Sequence, residues 1–162
     1  AKEFCSKLNK VYKDKLPFGY RFDLPTEAQW EYACRAGTTT NLNNGKNYTK
    51  IKDGVCPNLD EVAWYENTTK DIKHHCRVGT KKPNELGIYD MSGNVWEWCT
   101  NWFYEYDETN KINPQGPPNG IERMSRGGGW NRIARRCRVS YRGDDLPELR
   151  ANVGFRLVLN IN

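Results

Sequence analysis

Two short, rigid-looking segments in the last third of the chain enclose a run of ill-assorted side chains, and they constrain the fold more than any other feature. The first covers residues 125–130, SRGGGW, and the second covers residues 153–158, VGFRLV. Residues 131–152 between them mix arginines, acids, a tyrosine and aliphatic residues without a helical stripe or a strand alternation. Such an order serves no buried face and is typical of a ligand-contacting segment. We therefore expect a fixed frame that holds irregular loops.

The composition is that of a small, loop-rich domain. The 162 residues include six Trp, nine Tyr and five Phe, so a core can form although only 37% of the residues are hydrophobic. Fourteen Gly and eight Pro favour loops over a helical bundle. No segment has the apolar length of a membrane-spanning helix. We predict a single α+β domain that covers residues 1–162.

Periodicity and capping signals predict two helices followed by short strands. Residues 1–12 carry apolar positions on one side of a helix. Thr26 and Gln29 form a capping box at the start of a second helix, which stops at Gly37. Residues 38–85 are expected to form long polar loops. Extended pieces are expected at residues 20–24, 86–89, 95–99, 102–104, 124–130 and 154–159.

The net charge of +5 does not by itself indicate a nucleic-acid-binding protein. The lysines are spread from Lys2 to Lys111, and no stripe or known nucleic-acid motif collects them. A solvated basic surface is therefore favoured, and no nucleic-acid partner is expected. Residues 130–151 are a separate case, because six arginines against three acids favour an acidic target there.

The six cysteines include no CxxC pair, which argues against a zinc ribbon or a thioredoxin motif. Cys5 and Cys34 lie on apolar faces of the predicted helices, where a free thiol behaves as a small hydrophobe. Cys56 and Cys76 flank one loop region. The sequence leaves open whether these two are bridged or free.

Three blocks of the sequence are together specific for one family. They are residues 24–37, LPTEAQWEYACRAG, residues 84–99, NELGIYDMSGNVWEWC, and the pair RGG at 126–128 and GFR at 154–156. In this order they resemble the formylglycine-generating-enzyme (sulfatase-modifying factor) superfamily across nearly the whole chain. The resemblance implies a loop-rich α+β fold of the C-type-lectin-like kind, with two helices and short antiparallel strands. Family domains carry further strands before the first helix, so we expect that this chain lacks an N-terminal segment.

The enzymes of this family oxidise a substrate cysteine to formylglycine with a copper ion held by two cysteines. Those cysteines form a C-x4-C pattern shortly after the RGG segment. In this sequence Cys137 is the only cysteine between Gly128 and Gly154. One thiolate cannot supply two soft ligands for Cu(I). The sequence therefore predicts a protein that is not an oxidase and requires no cofactor, with Cys137 as a buried or bridged structural thiol.

By the same resemblance, the second block implies a structural calcium ion. The family surrounds this ion with a side-chain oxygen, two backbone carbonyls and a carboxylate. The matching positions are Asp90, Gly93, Val95 and Glu97. Hard oxygen ligands on a tight turn suit calcium. In the alternative, Asp90 and Glu97 cap turns and pair with arginines such as Arg126 or Arg156.

Residues 125–158 also resemble the variable region of proteins that are targets of diversity-generating retroelements. These elements mutate adenines, so that asparagine codons of a template become codons for many residue types while the frame stays fixed. By comparison with ordinary family segments, the frame residues are Trp130, Asn131, Ala134, Cys137, Arg138, Arg142 and Pro147. The diversified, ligand-binding positions are Arg132, Ile133, Arg135, Arg136, Tyr141, Gly143, Asp144, Asp145, Leu146, Glu148, Leu149 and Ala151.

This second resemblance implies a non-enzymatic, receptor-like or adhesin-like protein that displays a diversified surface. Anchors such as Tyr141 would supply binding energy, and small polar residues would supply fit. The expected partner is a protein or another macromolecule on another cell. The chain is expected to be a monomer at a cell surface, as a lipoprotein. Two alternatives stay open: an oxidase or related enzyme of the superfamily, and an ordinary structural member without diversification.

Overall fold

The computed structural model describes residues 1–49, 53–106, 112, 114–148 and 152–161. The helices of this described part are α1 Lys2–Val11, α2 Glu27–Arg35 and α3 Pro57–Asp60, with a 3-10 helix at Ala134–Cys137. Its strands are β1 Tyr20–Asp23, β2 Ala63–Trp64, β3 Ser92–Gly93, β4 Trp96–Trp102, β5 Arg123–Arg126, β6 Arg142–Asp145, β7 Val153–Gly154 and β8 Val158–Ile161. Within the described ranges, no helix has the length and apolar character needed to span a membrane.

Helix α2 begins with the capping box that the sequence predicts. Thr26 Oγ1 accepts a hydrogen bond from Gln29 N at 3.1 Å, and Thr26 N donates to Gln29 Oε1 at 2.8 Å. Each bond satisfies a group that the first helical turn leaves unpaired. The C-cap is Ala36, with a left-handed φ of 49°, and Gly37 follows at the predicted C′ position with a φ of 87°. Helix α1 confirms the other predicted helix.

The described strands form three sheets. The largest has the order β6-β5-β4-β7, while β1 pairs with β8 and β2 pairs with β3. Antiparallel pairing is confirmed for β1–β8, β4–β5 and β5–β6, but β2–β3 and β4–β7 are parallel. The chain leaves β6 near the end of β4 and re-enters the sheet at Val153, opposite Trp96 at the start of β4. Strand β7 therefore runs in the same direction as β4.

Some extended segments differ from the prediction. Residues 86–89 form a turn, because Asn84 Oδ1 accepts hydrogen bonds from the backbone N–H groups of Leu86 and Ile88. Residues 155–157 separate β7 from β8. Conversely, residues 142–145 were expected in irregular loops and form β6 against β5. This pairing uses the backbone and needs no hydrophobic alternation, so the sequence pattern does not show it.

Two clusters of buried side chains form the core of the described structure. The first contains Leu42, Cys56, Leu59, Val62, Ala63, Tyr65, Ala134 and Cys137. The second contains Trp30, Cys34, Met91, Cys99, Met124 and Val139. The interior of the last third contributes Ala134 and Cys137 to the first cluster and Val139 to the second. This irregular segment is therefore anchored in both parts of the core.

The long polar segment predicted at residues 38–85 is held by buried polar contacts. Tyr65 lies in the core, where its hydroxyl donates to Asp60 Oδ1 at 2.5 Å and accepts from Cys56 N at 3.0 Å. Burial, together with the neighbouring Asp60 carboxylate, raises the pKa of Tyr65. The segment also contains α3 and β2. A long loop is stable in a compact domain when such contacts pin it.

All six cysteines are free thiols. Cys56 and Cys76, for which the sequence left open a disulfide bridge or two free thiols, are therefore both free. Five of the six thiols are buried, and Cys76 is half-buried. The buried thiols serve as small apolar side chains in the core.

Candidate ligand-binding site

A buried arginine holds the start of the framed segment. Arg126, at the end of β5, is 0% exposed, and its Nη1 donates to the carbonyl oxygen of Tyr141 at 2.6 Å. Its Nη2 forms an ion pair with Glu31 of α2, and its guanidinium lies 5.4 Å from the centre of the Trp30 ring. A buried charge requires such partners, because an unpaired one is strongly destabilising. Arg126 therefore joins β5, α2 and the segment that precedes β6.

The frame requires glycine where it passes the 3-10 helix. Gly128 has a φ of 79°, and a Cβ atom there would lie 2.7 Å from Cys137 Sγ and 2.8 Å from the carbonyl oxygen of Arg136. Cys137 is 0% exposed, and burial raises the pKa of its thiol to about 12. A neutral, inaccessible thiol is a poor nucleophile and a poor metal ligand. Of the two structural roles left open for Cys137, the structure shows the buried one.

Trp130 and Asn152 close the framed segment. Trp130 Nε1 donates a hydrogen bond to Asn152 Oδ1 at 2.9 Å. The carbonyl oxygen of Asn152 accepts from Trp96 N at 3.1 Å, so the same residue is tied to β4. Asn152 has a φ of 63°, in the left-handed region that asparagine tolerates better than most residues. Both ends of the segment are thus fixed to each other and to the central sheet.

Two polar residues outside the framed segment hold the backbone of Trp130. Trp130 N donates to the carbonyl oxygen of Asn94 at 2.7 Å, and Thr69 Oγ1 donates to the carbonyl oxygen of Trp130 at 2.7 Å. The Asn94 side chain also bonds to the backbone N and O of Cys76, at 2.9 and 3.2 Å. The sequence motifs do not reveal these roles. The only local signal is the turn propensity of Asn94 directly after Gly93.

Arg142 fixes the start of β6 against α2. Its Nε and Nη2 donate to the two carboxylate oxygens of Glu27 at 2.6 and 3.0 Å. Its guanidinium lies 3.9 Å from the centre of the Tyr106 ring and 5.2 Å from that of Tyr104. Burial opposes the charge, but the hydrogen bonds and the charge of Glu27 outweigh burial and leave the pKa of Arg142 raised. Arg142 is therefore a permanently charged part of the frame.

The predicted variable positions differ in their exposure. The exposed ones are Ile133, Arg135, Asp144, Leu146 and Glu148. The half-buried ones are Arg132, Arg136, Tyr141 and Asp145. Leu149 and Ala151 lie outside the described residues. The Arg136 guanidinium lies 5.9 Å from the centre of the Tyr141 ring, which brings the stretches 132–136 and 141–148 together.

Gly143 differs from the other described variable positions because it is buried. It is buried in β6, and a Cβ atom there would lie 2.5 Å from Ser125 Oγ and 2.8 Å from the Trp96 ring. Ser125 Oγ also donates to Asp145 Oδ2 at 2.7 Å, which limits its freedom to move. The prediction that Gly143 contacts a ligand is therefore corrected, because this position belongs to the packed frame. Asp144 and Asp145 likewise project from a strand rather than from a loop.

The start of the variable region carries uncompensated positive charge. Residues 130–143 contain five arginines and no acid. Arg142 is paired, but no other described residue forms an ion pair with Arg132, Arg135 or Arg136. Within the same described part, the buried Nε atoms of Arg132 and Arg136 have no hydrogen-bond partner. Arg135 is exposed, so its guanidinium group is available to an acidic ligand.

The positions that the resemblance assigns to calcium lie close together. Asp90, Val95 and Glu97 line one surface cavity of about 430 Å³, and Gly93 is buried beside them. Asp90 has a φ of 57° and accepts a hydrogen bond from Gly79 N through Oδ2 at 2.7 Å. The carboxyl-bearing residues Asp90 and Glu97 thus line the same cavity.

Glu97 has several partners in this cavity. Its two carboxylate oxygens accept hydrogen bonds from Arg156 Nη2 and Nε, each at 2.6 Å, and Oε2 also accepts from Trp30 Nε1 at 2.6 Å. The predicted pairing with Arg156 is thus present. A carboxylate has about four acceptor sites, so Glu97 retains one site for a cation. Across the described residues, however, no three His, Cys, Asp or Glu side chains are grouped as metal ligands. A calcium site here would depend on the carbonyl oxygens.

Comparison with known proteins identifies the family. Residues 1–161 match the family model described as "Sulfatase-modifying factor enzyme 1-like domain", and the chain belongs to this family. The formylglycine-generating enzyme of Bos taurus is 34% identical over 147 residues, which cover 82% of this chain and 37% of the enzyme. Chaperone protein LppX of Paenibacillus barcinonensis is 38% identical over 159 residues, covering 86% of this chain and 49% of the relative. The chain thus spans half or less of the length of these relatives.

Among solved structures, Treponema denticola variable protein 1 matches with a TM-score of 0.72 and 34% identity. The match covers 85% of this chain and 47% of that chain. The likeness confirms the expected fold, a loop-rich α+β fold of the C-type-lectin-like, formylglycine-generating-enzyme type.

Proposed function

We propose that this domain is a non-enzymatic, ligand-binding variable protein and a target of a diversity-generating retroelement. The observation that carries the proposal is the separation of two sets of side chains within one segment. Frame residues such as Trp130 and Arg142 are bound by internal contacts. Variable residues such as Ile133, Arg135 and Leu146 are exposed. A surface of this kind can change its sequence without unfolding its support.

The partner that fits this surface is a protein or another macromolecule on another cell, bound by a monomer at a cell surface. Three arginines at positions 132, 135 and 136 have no ion pair with a described residue, so the surface favours an acidic partner. Arginine and tyrosine are frequent anchors in binding surfaces. The similarity to the Treponema variable protein supports this assignment.

A second candidate function is enzymatic, and the 34% identity to the bovine formylglycine-generating enzyme favours it. Oxidase chemistry of that kind requires two accessible thiolates. Cys137 is buried and its pKa is raised, and the sequence offers no second cysteine between Gly128 and Gly154. Copper binding at one ion per chain would favour the enzyme over the binding protein.

We also propose a structural calcium ion held by Asp90 and Glu97 and by the carbonyl oxygens of Gly93 and Val95. The shared cavity of three of these residues supports the proposal. When bound, the ion would add fixed positive charge to the turn before β4 and stabilise it.

A library experiment tests the binding function. Positions 132, 133, 135, 144, 146 and 148 are randomised together, and the displayed library is selected on an immobilised probe protein, hen lysozyme. Folded binders should emerge, because these side chains lie outside the core. A matched library at the buried positions 91, 124, 125, 134, 137 and 139 should lose folding in most members. Equal loss of folding in both libraries, or the absence of binders, would contradict the proposal.

A further inference from the structure

A mainly apolar cavity of about 520 Å³ opens beside the variable region. Its lining residues include Asp53, Tyr65, Glu66, Lys70, Ile133 and Ala134. One wall is the turn at residues 65–70, and the other is the start of the variable region. Hydrogen bonds hold the walls together, since Glu66 N donates to the carbonyl oxygen of Arg132 at 3.1 Å. Thr69 Oγ1 makes the second link, to the carbonyl oxygen of Trp130 at 2.7 Å.

The inner surface of this cavity is preformed. Tyr65 and Ala134 belong to the first core cluster, and the Tyr65 hydroxyl is bonded in the interior to Asp60 and Cys56. Tyr65 and Ala134 are 0% and 2% exposed, so they support the cavity from the core side and do not present open surface. Ile133 forms the outer apolar wall and is 43% exposed. A volume of this size with apolar walls is typical of a small-ligand or side-chain pocket.

Charge is distributed unevenly around the opening. Among the residues that line the cavity, Asp53 and Glu66 are acidic and Lys70 is basic, which gives a net charge of −1. On the side of Ile133, by contrast, residues 132–138 carry four arginines and no acid. The buried Nε atoms of Arg132 and Arg136 have no hydrogen-bond partner in the described structure. These buried Nε atoms are inaccessible to a ligand, whereas Arg135 is exposed and forms no ion pair with a described residue, so Arg135 can pair with an anionic ligand.

We propose that this cavity is the anchor site for one aromatic or long aliphatic side chain of a partner protein, and that the residues next to this side chain are acidic. The inference rests on the proposed binding function and names the class of partner segment. An apolar anchor in a preformed pocket supplies most of the energy of a typical interface. Carboxylates on the side of Ile133 pair with the unpartnered arginines in charge-assisted hydrogen bonds.

The position of Ile133 has a consequence for specificity. Tyr65 and Ala134 are core residues and stay constant, whereas residue 133 is one of the diversified positions. Each variant would therefore keep the floor of the cavity and change its outer wall. The size of the accepted side chain would change with residue 133, while the location of the anchor would not.

Three short peptides probe the cavity directly. They are acetyl-Trp-Asp-Glu-Asp-amide, its Ala-Asp-Glu-Asp counterpart and its Trp-Asn-Gln-Asn counterpart. Isothermal titration at low salt should show about tenfold tighter binding of the Trp-acidic peptide than of the Ala-acidic one, the effect of about 1.4 kcal/mol of anchor burial. The uncharged Trp peptide should also bind more weakly. No measurable binding of the Trp-acidic peptide, or equal binding of the Trp-acidic and Ala-acidic peptides, would overturn the proposal.

Two matched variants locate the effect. Ile133→Ala removes the outer wall and should abolish most of the preference for Trp over Ala. Leu159→Ala, in β8 and outside the variable positions, removes an apolar side chain of similar exposure, 44% against 43%, and should leave the preference unchanged. Equal effects of the two variants would contradict the assignment of the cavity. Glu66→Trp, which places a ring at the rim, should weaken the Trp-acidic peptide as well, and melting curves verify that each variant is folded.

The binding function can stand even if the cavity does not. Arg135→Ala should weaken both acidic peptides by a similar factor, because it removes charge without touching the anchor. If this arginine effect is present without any preference for Trp, the cavity assignment fails and the displayed binding surface survives. If the library at the variable positions also yields no folded binder, the proposed function fails with it.

Discussion

Trp130 Nε1 donates a hydrogen bond to Asn152 Oδ1 at 2.9 Å, and this contact joins the residue directly before the framed segment 131–152 to the last residue of that segment. The ends of the segment are thereby held together whatever residues lie between them. The entropy of closing the loop is then set by the frame rather than by the diversified side chains. This arrangement would let the diversification proposed above change the sequence of the segment without changing its shape.

Replacing Asn152 tests this closure. Asn152→Ala removes the side-chain hydrogen bond and places alanine at a φ of 63°, so we expect a loss of about 1–3 kcal/mol in the free energy of unfolding. Asn119→Ala, at an exposed loop position, should change it by less than about 0.5 kcal/mol. Urea unfolding measures both. Similar values for the two variants would show that the contact does not hold the segment.

Gly128 tests the packing of the frame against the 3-10 helix. Gly128→Ala combines a positive φ with contacts of 2.7 and 2.8 Å to Cys137 and Arg136, whereas Gly87→Ala has a similar φ of 75° and no neighbour within 4 Å. The conformational cost is common to both and amounts to about 1–2 kcal/mol. The clash should add about 1–3 kcal/mol at Gly128 only. Thermal melting of the two variants should separate these contributions, and equal losses would argue against close packing.

The Cys137 thiol should make stability depend on alkaline pH. Burial raises its pKa from 9.0 to about 12, so between these values the unfolded chain loses the proton and the folded chain keeps it. The contribution of the Cys137 thiol to the free energy of unfolding is complete below pH 9. It decreases at higher pH, by at most about 1.4 kcal/mol per pH unit. Cys137→Ala should therefore lose stability less steeply than the unmodified protein between pH 9 and 10.5. Identical slopes, or alkylation of Cys137 as fast as Cys76 in the folded protein, would contradict its burial.

Calcium should raise the melting temperature of protein that has first been treated with a chelator. At a free concentration of about 100 times Kd, binding to the folded state alone adds about 2.7 kcal/mol. Asp90→Ala should remove the shift, while Asp71→Ala, which removes an exposed acid elsewhere, should retain it. Tryptophan fluorescence can follow binding independently of stability, since Trp96 lies next to the proposed ligands. No shift in excess calcium would refute the proposed site.

Local signals in the sequence were sufficient for α1, α2 and the family, but α3 and the 3-10 helix lie in segments that were expected to be loops. The capping box of Thr26 and Gln29 involves residues three positions apart, so its pattern is visible in the chain and the structure confirms it. Strand β6 could not be predicted in the same way. It pairs through its backbone with β5, and its buried face is a glycine under Trp96 rather than a row of apolar side chains.

The same distinction applies to the candidate site. Exposure at Ile133, Arg135 and Leu146 agrees with the positions expected from the family frame. The prediction of Gly143 as a ligand-binding position was wrong, because only the three-dimensional contact with Ser125 shows that this position has no room for a side chain. The support of Trp130 by Thr69 spans 61 residues in sequence, and no local pattern signals such a contact. The cavity beside Ile133 is likewise formed by segments that are distant in the chain.

The genomic DNA around the coding sequence tests the central claim most directly. Sequencing should reveal a neighbouring reverse-transcriptase gene and a second, template copy of the segment that encodes residues 125–158. We predict that the two copies differ only where the template has adenine, and that the differences fall on codons for exposed positions such as 133, 135 and 146 and spare those for Trp130, Cys137 and Arg142. A locus without a template copy, or with differences spread evenly over frame and variable codons, would contradict the assignment as a diversified binding surface.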